Sequence, residues 1–161
     1  MTEDNKNEPE RAPIFDIAAW EQKQQEHNRR FDELLLANKT ALFDVLASAG
    51  IEIVDVNFDG YGDSGQIERI EARGSDNVIE LPTAQIEIAT PVLDSPEIRC
   101  QTMTIHDVIE HLVYEFLRET HAGWENNDGA YGDFTFDVAD RTITLDYNER
   151  YTETDYSHHS F

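Results

Sequence analysis

The sequence predicts an α+β domain, in which an antiparallel sheet of about five to seven strands has two main helices packed on one face. Two helical stretches alternate with groups of short β-branched segments, in the order helix, strands, helix, strands. Several of these segments alternate apolar with polar residues, which is typical of a sheet that has one buried and one exposed face. With 161 residues, the chain is long enough for one such domain and too short for two of ordinary size.

The first helix is predicted between Asp16 and Ala49, where the sequence contains no Pro or Gly, and Gly50 is expected to end it. Its second half carries apolar residues at helical spacing, whereas residues 21–30 carry none.

We expect residues 1–13 to be a disordered tail and residues 14–161 to form a single domain. Residues 14–30 have two interpretations. They form either a projecting helical stalk, with Trp20 as an apolar contact for a partner, or a separate piece that folds back after a break near Asp32.

The second helix is predicted at about residues 105–120. Thr104 and Asp107 form a variant capping box at its start, apolar residues make one stripe along it, and Gly123 is the expected stop. Five β-rich segments lie between the two helices.

After the second helix, residues 134–138 and 143–147 alternate apolar with polar residues on either side of a turn, which predicts a hairpin. The residues that follow form either an additional edge strand or a loose tail.

The chain is strongly acidic, with 34 Asp and Glu against 12 Lys and Arg and a formal net charge of −22. Residues 41–161 hold 25 of the acids but only six bases, all of them arginines, which leaves a formal charge of −19 for this segment. A surface of this sign repels nucleic acid and anionic membranes and attracts basic protein surfaces.

The average charge density of the surface is too low to imitate DNA. If the excess negative charges were spread evenly over the protein surface, each would occupy about 370 Å², taking the surface area from its usual scaling with mass. Duplex DNA carries one charge per about 100 Å². Imitation of DNA therefore requires the carboxylates to gather on one face, and an evenly acidic, well-solvated protein is the alternative.

The single cysteine, Cys100, excludes an internal disulfide framework and indicates a reducing compartment. The N-terminus lacks the pattern of a secretion signal, and no window approaches 18 apolar residues. We therefore expect a cytoplasmic protein without a transmembrane helix.

Two loops use the same unusual chemistry. Asp-Gly-Tyr-Gly-Asp at residues 59–63 recurs, with one residue inserted, as Asp-Gly-Ala-Tyr-Gly-Asp at residues 128–133. Glycines that permit tight bends, together with exposed rings and carboxylates, are typical of a surface that binds another molecule. The candidate partner-binding residues are Asp59, Tyr61, Asp63, Gln66, Trp124, Glu125, Asp128, Tyr131 and Asp133, with Trp20 on the stalk.

No metal or cofactor is predicted. Residues 57–68 match a twelve-residue calcium loop in part, but Tyr61 stands where an oxygen ligand is needed and the flanks are strands instead of helices. The pairs His106 and Glu110, and His111 and Glu115, have the spacing of metal-binding helices, yet a solvated ion pair on the polar face explains His111.

Enzyme signatures are also lacking. The sequence has no GxSxG motif, no phosphate-binding glycine loop and no lysine after Lys39, which argues against a nucleotide enzyme. We therefore favour a protein that is not an enzyme.

The strings FDGYGDSGQIE (residues 58–68) and WENNDGAYGDFTFDV (residues 124–138), with the ending HHSF, resemble a family of uncharacterised small proteins from bacterial genomes and plasmids. No activity is assigned to that family. The resemblance covers about residues 31–161 and implies that both loops belong to a common family pattern, whereas the N-terminal tail and stalk lie outside it.

The sequence thus predicts a non-enzymatic protein that uses an acidic face and two tyrosine–glycine loops to occupy a basic surface of a protein partner. In the sharpest form, that surface normally binds nucleic acid, and the protein is a DNA-mimic inhibitor of a defence system, encoded on a mobile element. Direct binding of nucleic acid or membrane is not expected.

Two alternatives belong to other classes. One is a small-ligand, metal-binding or hydrolytic site where the loops meet, with Asp59, Asp63, Asp128 and Asp133 as acids or ligands. The other is a homodimeric scaffold joined through the Trp20 stalk.

Overall fold

The computed structural model describes residues 16–161, so the tail predicted at residues 1–13 lies outside the described residues. The described elements are α1 (Ile17–Ser48), β1 (Ile53–Tyr61), β2 (Ser64–Gly74), β3 (Asn77–Ile79), β4 (Gln85–Pro91), β5 (Ile98–Thr104), α2 (Ile105–Thr120), β6 (Ala130–Asp137) and β7 (Thr142–Glu149).

The strands form two antiparallel sheets. The larger has five strands in the order β3-β2-β1-β6-β7, and β4 and β5 pair separately as a hairpin. The α+β class is therefore confirmed, but the described strands divide between two sheets instead of joining in one. Residues 150–161 have no regular secondary structure, so the tail adds no strand.

One face of the larger sheet is buried. The inward side chains of β1 and β6 alternate strictly with outward, less buried ones. Phe136 packs against Phe43 of α1, with ring centres 6.4 Å apart, and Phe134 stacks on Phe116 of α2 at 6.1 Å. Both helices therefore cover the same face, as the alternation predicts.

Helix α1 runs unbroken for 32 residues, about 48 Å at 1.5 Å per residue, and does not break at Asp32. Asp16 caps its start by accepting from the N–H of Ala19 at 3.2 Å. At its end the N–H groups of Gly50 and Ile51 donate to the carbonyls of the last turn, and Gly50 has φ +75°, the left-handed conformation that favours glycine.

The first half of α1 is tied to the body from Lys23 onward. Lys23 lies 3.3 Å from Asp94, and the guanidinium of Arg30 donates to three backbone carbonyls of the loop between β4 and β5, at 2.5 to 3.1 Å. Further along, the side-chain amide of Asn38 donates to and accepts from the backbone of Ala89, which satisfies a buried polar group. Only the first turns, with Trp20, extend beyond these contacts.

A polar seam joins α1 to α2. Gln24 accepts from Arg118 at 2.9 Å, and His27 lies 3.6 Å from Glu115. Burial, together with the neighbouring carboxylate of Asp32, raises the pKa of Glu119 to about 7.

His111 lies in the same region and is half-buried, so the expectation of a solvated ion pair on the polar face is wrong. Its Nε2 is buried without a hydrogen-bond partner in the described structure, and burial lowers the pKa of the ring.

Within the described residues, no helix has the length and apolar character needed to cross a membrane.

Candidate functional site

The two glycine loops meet at one corner of the larger sheet. Antiparallel pairing of β1 with β6 places Asp59 opposite Tyr131 and Gly60 opposite Ala130. At the tip of the β1–β2 hairpin, the N–H of Asp63 donates to the carbonyl of Glu125 at 3.0 Å. The pairing of two strands that are distant in sequence therefore creates one composite surface.

The first loop is a tight hairpin turn. Gly62 and Asp63 both have positive φ, 58° and 64°, as in the two-residue turn that follows the natural twist of paired strands. Residues 57–61 and 64–69 lie in the paired strands on either side of this turn. They do not wrap around a common centre as a calcium loop does.

Trp124 supports the corner from beneath. Its side chain is only 9% exposed and meets the ring of Phe58 edge-on at 5.4 Å between centres. A Cβ atom on Gly60 would lie 2.6 Å from the indole, and one on Gly65 would overlap it, so these positions must lack side chains. The expectation that Trp124 is an exposed ring is wrong.

Two other rings of the corner do face solvent. Tyr61 is 74% exposed and Tyr131 is 45% exposed. The guanidinium of Arg150 lies 4.5 Å from the centre of the Tyr131 ring and donates to Asp59 at 2.9 Å and to the carbonyl of Gly60 at 3.2 Å. Sequence reasoning missed Arg150, although it is the only base among the last twenty residues.

A shallow depression of about 570 Å³ lies at this corner. It is lined by Asp59, Tyr61, Ser64, Gln66, Glu68 and Arg150. Gln66 is exposed and its amide donates to Glu68 at 3.0 Å. Two carboxylates, a ring and a guanidinium therefore share one open concave surface.

The outer face of the sheet extends from this corner. We use this term for the side chains of β1, β2, β6 and β7 that point away from the helices. On it Asp133 lies directly opposite Asp146, and Asn57 donates to Asp133. Within residues 16–161 neither carboxylate forms an ion pair. Like charges placed directly opposite each other destabilise a sheet, and the hydrogen bond from Asn57 offsets this for Asp133 alone.

Other carboxylates of the outer face are neutralised in part. Arg73 pairs with Asp55 and lies near Glu71. Exposed acids also occur on both helices, for example Glu33 and Asp107. Negative charge is therefore not confined to one zone, and the outer face is distinguished by its uncompensated Asp133–Asp146 pair and by its tyrosines.

The four loop aspartates do not converge on one point. Asp59 pairs with Arg150, Asp128 accepts from Thr152 at 2.7 Å, and Asp133 accepts from Asn57. Only Asp59 lines the depression. In the described part of the chain, the group of three that could hold a metal lies elsewhere, on the exposed start of α2, and comprises His106, Asp107 and Glu110.

The remaining candidates have different roles. Glu125 is half-buried and contributes its carbonyl to the corner, and Trp20 lies on α1 and does not line the depression. The corner and the outer face therefore contain most of the residues that the sequence singled out.

A family of unknown function (DUF6878) matches residues 34–161. The chain belongs to this family. The DUF6878 region includes both glycine loops, all the strands described above and α2, whereas the first half of α1 lies outside it. No curated protein and no solved structure matches the chain.

Proposed function

We propose that this protein is a non-enzymatic binding module whose loop corner and outer face occupy a basic surface of a protein partner. The observation that carries the proposal is the combination of two exposed tyrosines, on a corner whose glycines pack against the buried Trp124, with the uncompensated Asp133–Asp146 pair on the same sheet.

The tyrosines provide contact area for the partner, and the carboxylates select a basic partner surface over an acidic one. A tyrosine ring offers a large amphipathic contact with few rotatable bonds, so it loses little entropy when it binds. Tyr131 is already held by Arg150, and the hairpin turn that follows Tyr61 is tied to Glu125. Carboxylates without a cation of their own favour Lys and Arg from a partner and repel acidic surfaces.

The charge density of the outer face supports the sharper form, in which the partner surface normally binds nucleic acid. Its four long strands present six acids and two arginines at their outward paired positions. With strands about 4.8 Å apart and about 6.8 Å between successive outward residues, this is one net charge per about 150 Å², or about 200 Å² if Arg150 is counted. Both values are closer to duplex DNA, at about 100 Å², than to the even spread.

The test is a titration against a purified basic nucleic-acid-binding protein, with fluorescence anisotropy as the readout and salt raised from about 50 to 500 mM. We expect the affinity to fall steeply with salt and the double variant Tyr61→Ala/Tyr131→Ala to lose about tenfold. Tyr156→Ala, an exposed ring on the tail, is the matched control. An affinity that does not change with salt contradicts the proposal, and competition by duplex DNA supports the mimic form.

A small-ligand site is a second candidate, because the corner contains the depression beside Asp59 and Arg150. Its test is a thermal-shift screen with small cations and small anions. Stabilisation that Asp59→Asn or Arg150→Lys abolishes supports a ligand site, whereas a screen in which nothing stabilises the protein counts against it.

A homodimeric scaffold is a third candidate, because Ile17 and Trp20 are 61% and 47% exposed at the start of α1. Light scattering of the variant Ile17→Ser/Trp20→Ser tests it. Conversion of a dimer to a monomer supports the scaffold, provided that Leu36→Ser, an exposed change on the same helix, has no effect.

A further inference from the structure

Strand β7 is an open edge of the larger sheet, since among the described strands it pairs with β6 alone. The N–H of Arg150 donates to Gly129, and this bond fixes which residues of the antiparallel pair exchange hydrogen bonds. By that alternation, the N–H and C=O groups of Ile143, Leu145, Tyr147 and Glu149 point away from β6. These eight backbone groups have no partner in the described structure.

The opposite edge of the sheet is protected in ways that β7 is not. There β3 covers the end of β2, the register shifts next to Phe58, and Arg69 and Arg73 stand on the strand. Bulges, Pro and charged side chains, Lys above all, are the devices that usually prevent an edge from pairing with another chain. Strand β7 has no bulge, Pro, Lys or Arg over eight residues, and its two charged residues are the acids Asp146 and Glu149, which do not repel a basic segment.

The two sides of β7 differ in chemistry. Its inward side chains Ile143, Leu145 and Tyr147 are only half-buried, whereas Phe134 and Phe136 of the neighbouring strand are fully buried. An apolar strip along the edge is therefore partly uncovered. On the outer face its four residues, Thr142, Thr144, Asp146 and Asn148, are all exposed, and the charged one, Asp146, lies opposite Asp133.

We propose that β7 receives an extended segment of the partner as a sixth strand, with apolar residues alternating with Lys or Arg. The backbone of the segment would form hydrogen bonds with the edge-facing N–H and C=O groups of Ile143, Leu145, Tyr147 and Glu149. Its apolar residues would cover the inward strip, and its cationic residues would lie beside Asp146, with Asp133 one strand further into the sheet. This inference rests on the proposed function and specifies the chemistry of the partner.

A second copy of this chain fits the edge poorly. Each copy carries a net charge of −22, and pairing of two β7 strands would bring further acidic side chains together. A basic segment gains from the same charges, so charge complementarity selects it.

The probe is an eight-residue peptide that alternates lysine and valine, added to the full chain at low salt, with amide hydrogen exchange followed by NMR. We expect exchange at Ile143, Leu145, Tyr147 and Glu149 to slow at least tenfold. The amides of 142, 144, 146 and 148 donate to β6 and should change little.

Two matched controls isolate the edge. N-methylation of the peptide at the residues that donate to β7 should abolish binding, and N-methylation at the intervening residues should not. The variant Asp146→Lys should weaken binding at least tenfold, whereas Glu87→Lys, the same charge change at an exposed position of β4, should not.

Three outcomes overturn the inference. The first is peptide binding without protection of the four amides, and the second is equal binding of both N-methylated peptides. The third is a dimer of this chain through β7. If the peptide instead perturbs the resonances of Tyr61 and Tyr131, strand addition at β7 is wrong but the proposed function is retained. If no basic probe binds at low salt, both the proposed function and strand addition at β7 are wrong.

Discussion

The N–H of Asp63 donates to the carbonyl of Glu125 at 3.0 Å, and this one bond fastens the tip of the β1–β2 hairpin to the loop that follows α2. Together with the pairing of Asp59 and Tyr131, it gives the two glycine loops a single fixed geometry. Preorganised loops lose less conformational entropy when they bind, which favours affinity.

Gly65→Ala should destabilise the protein by about 1 to 3 kcal/mol, because the new methyl group would overlap the indole of Trp124. Urea unfolding followed by circular dichroism measures the change. Ser64→Ala, at the neighbouring exposed position, is the control and should have little effect. An unchanged unfolding midpoint for Gly65→Ala would show that the corner is less tightly packed than described.

Arg150→Lys should loosen the corner, because lysine lacks the planar guanidinium that stacks on Tyr131 while it contacts Asp59 and Gly60. The group is partly exposed, so we expect a loss of only about 1 kcal/mol of stability. The amide resonances of residues 59–61 and 131 should broaden or shift. Spectra that superimpose on those of the parent chain would contradict this role.

Glu119→Gln should increase stability at pH 8 and have little effect at pH 5. The folded pKa of Glu119, about 7, is above the 4.5 of an unperturbed glutamate, so the folded state holds the proton more tightly than the unfolded state. The corresponding stability is present below about pH 4.5 and is lost as the pH rises through 7. We expect about 1 kcal/mol, less than the shift alone implies, because the side chain is partly solvated.

The check on Glu119 is a series of urea unfolding curves between pH 5 and 8. The parent chain should lose stability across this range relative to Glu119→Gln, and Glu87→Gln, the same change at an exposed position of β4, should run parallel to the parent. If the curve for Glu119→Gln also runs parallel to that of the parent, folding does not raise the pKa of Glu119.

Arg30→Ala should release the loop between β4 and β5 from α1, since its guanidinium donates to the carbonyls of Val92, Ser95 and Glu97. Hydrogen bonds to a charged group contribute about 1.5 to 3 kcal/mol. Faster hydrogen exchange within residues 92–97 is the expected local signature. Arg29→Ala, which removes only exposed ion pairs of α1, should cost less than about 1 kcal/mol.

Local chemistry made several elements predictable. Thr104 accepts from the N–H of Asp107, as the capping box indicates, and α2 spans the predicted residues 105–120. Gly50 follows α1 in the expected left-handed conformation. The alternation of Phe134, Phe136 and Val138 correctly marks the buried face of β6. In each case the signal lies within a few residues of the structure that it specifies.

Other features depend on which strands become neighbours, and alternation does not encode that choice. The pairing of β1 with β6 brings the two loops together, yet the sequence of neither strand specifies which strand will be its neighbour. Trp124 is buried because Gly60 and Gly65 leave space for it on a different strand pair. A residue in a polar, glycine-rich loop therefore looked exposed in the sequence and proved to be part of the core.

The distance along the chain between β1 and β6 has a further consequence for how the protein is made. Asp59 and Tyr131 are 72 positions apart, so the central strand pair closes a long loop, which slows folding compared with local contacts. During synthesis on the ribosome, the β1–β2 hairpin emerges well before β6, so the edge of β1 that pairs with β6 stays unpaired until β6 has been made. A premature stop ahead of β6 would thus release a fragment with an aggregation-prone central strand.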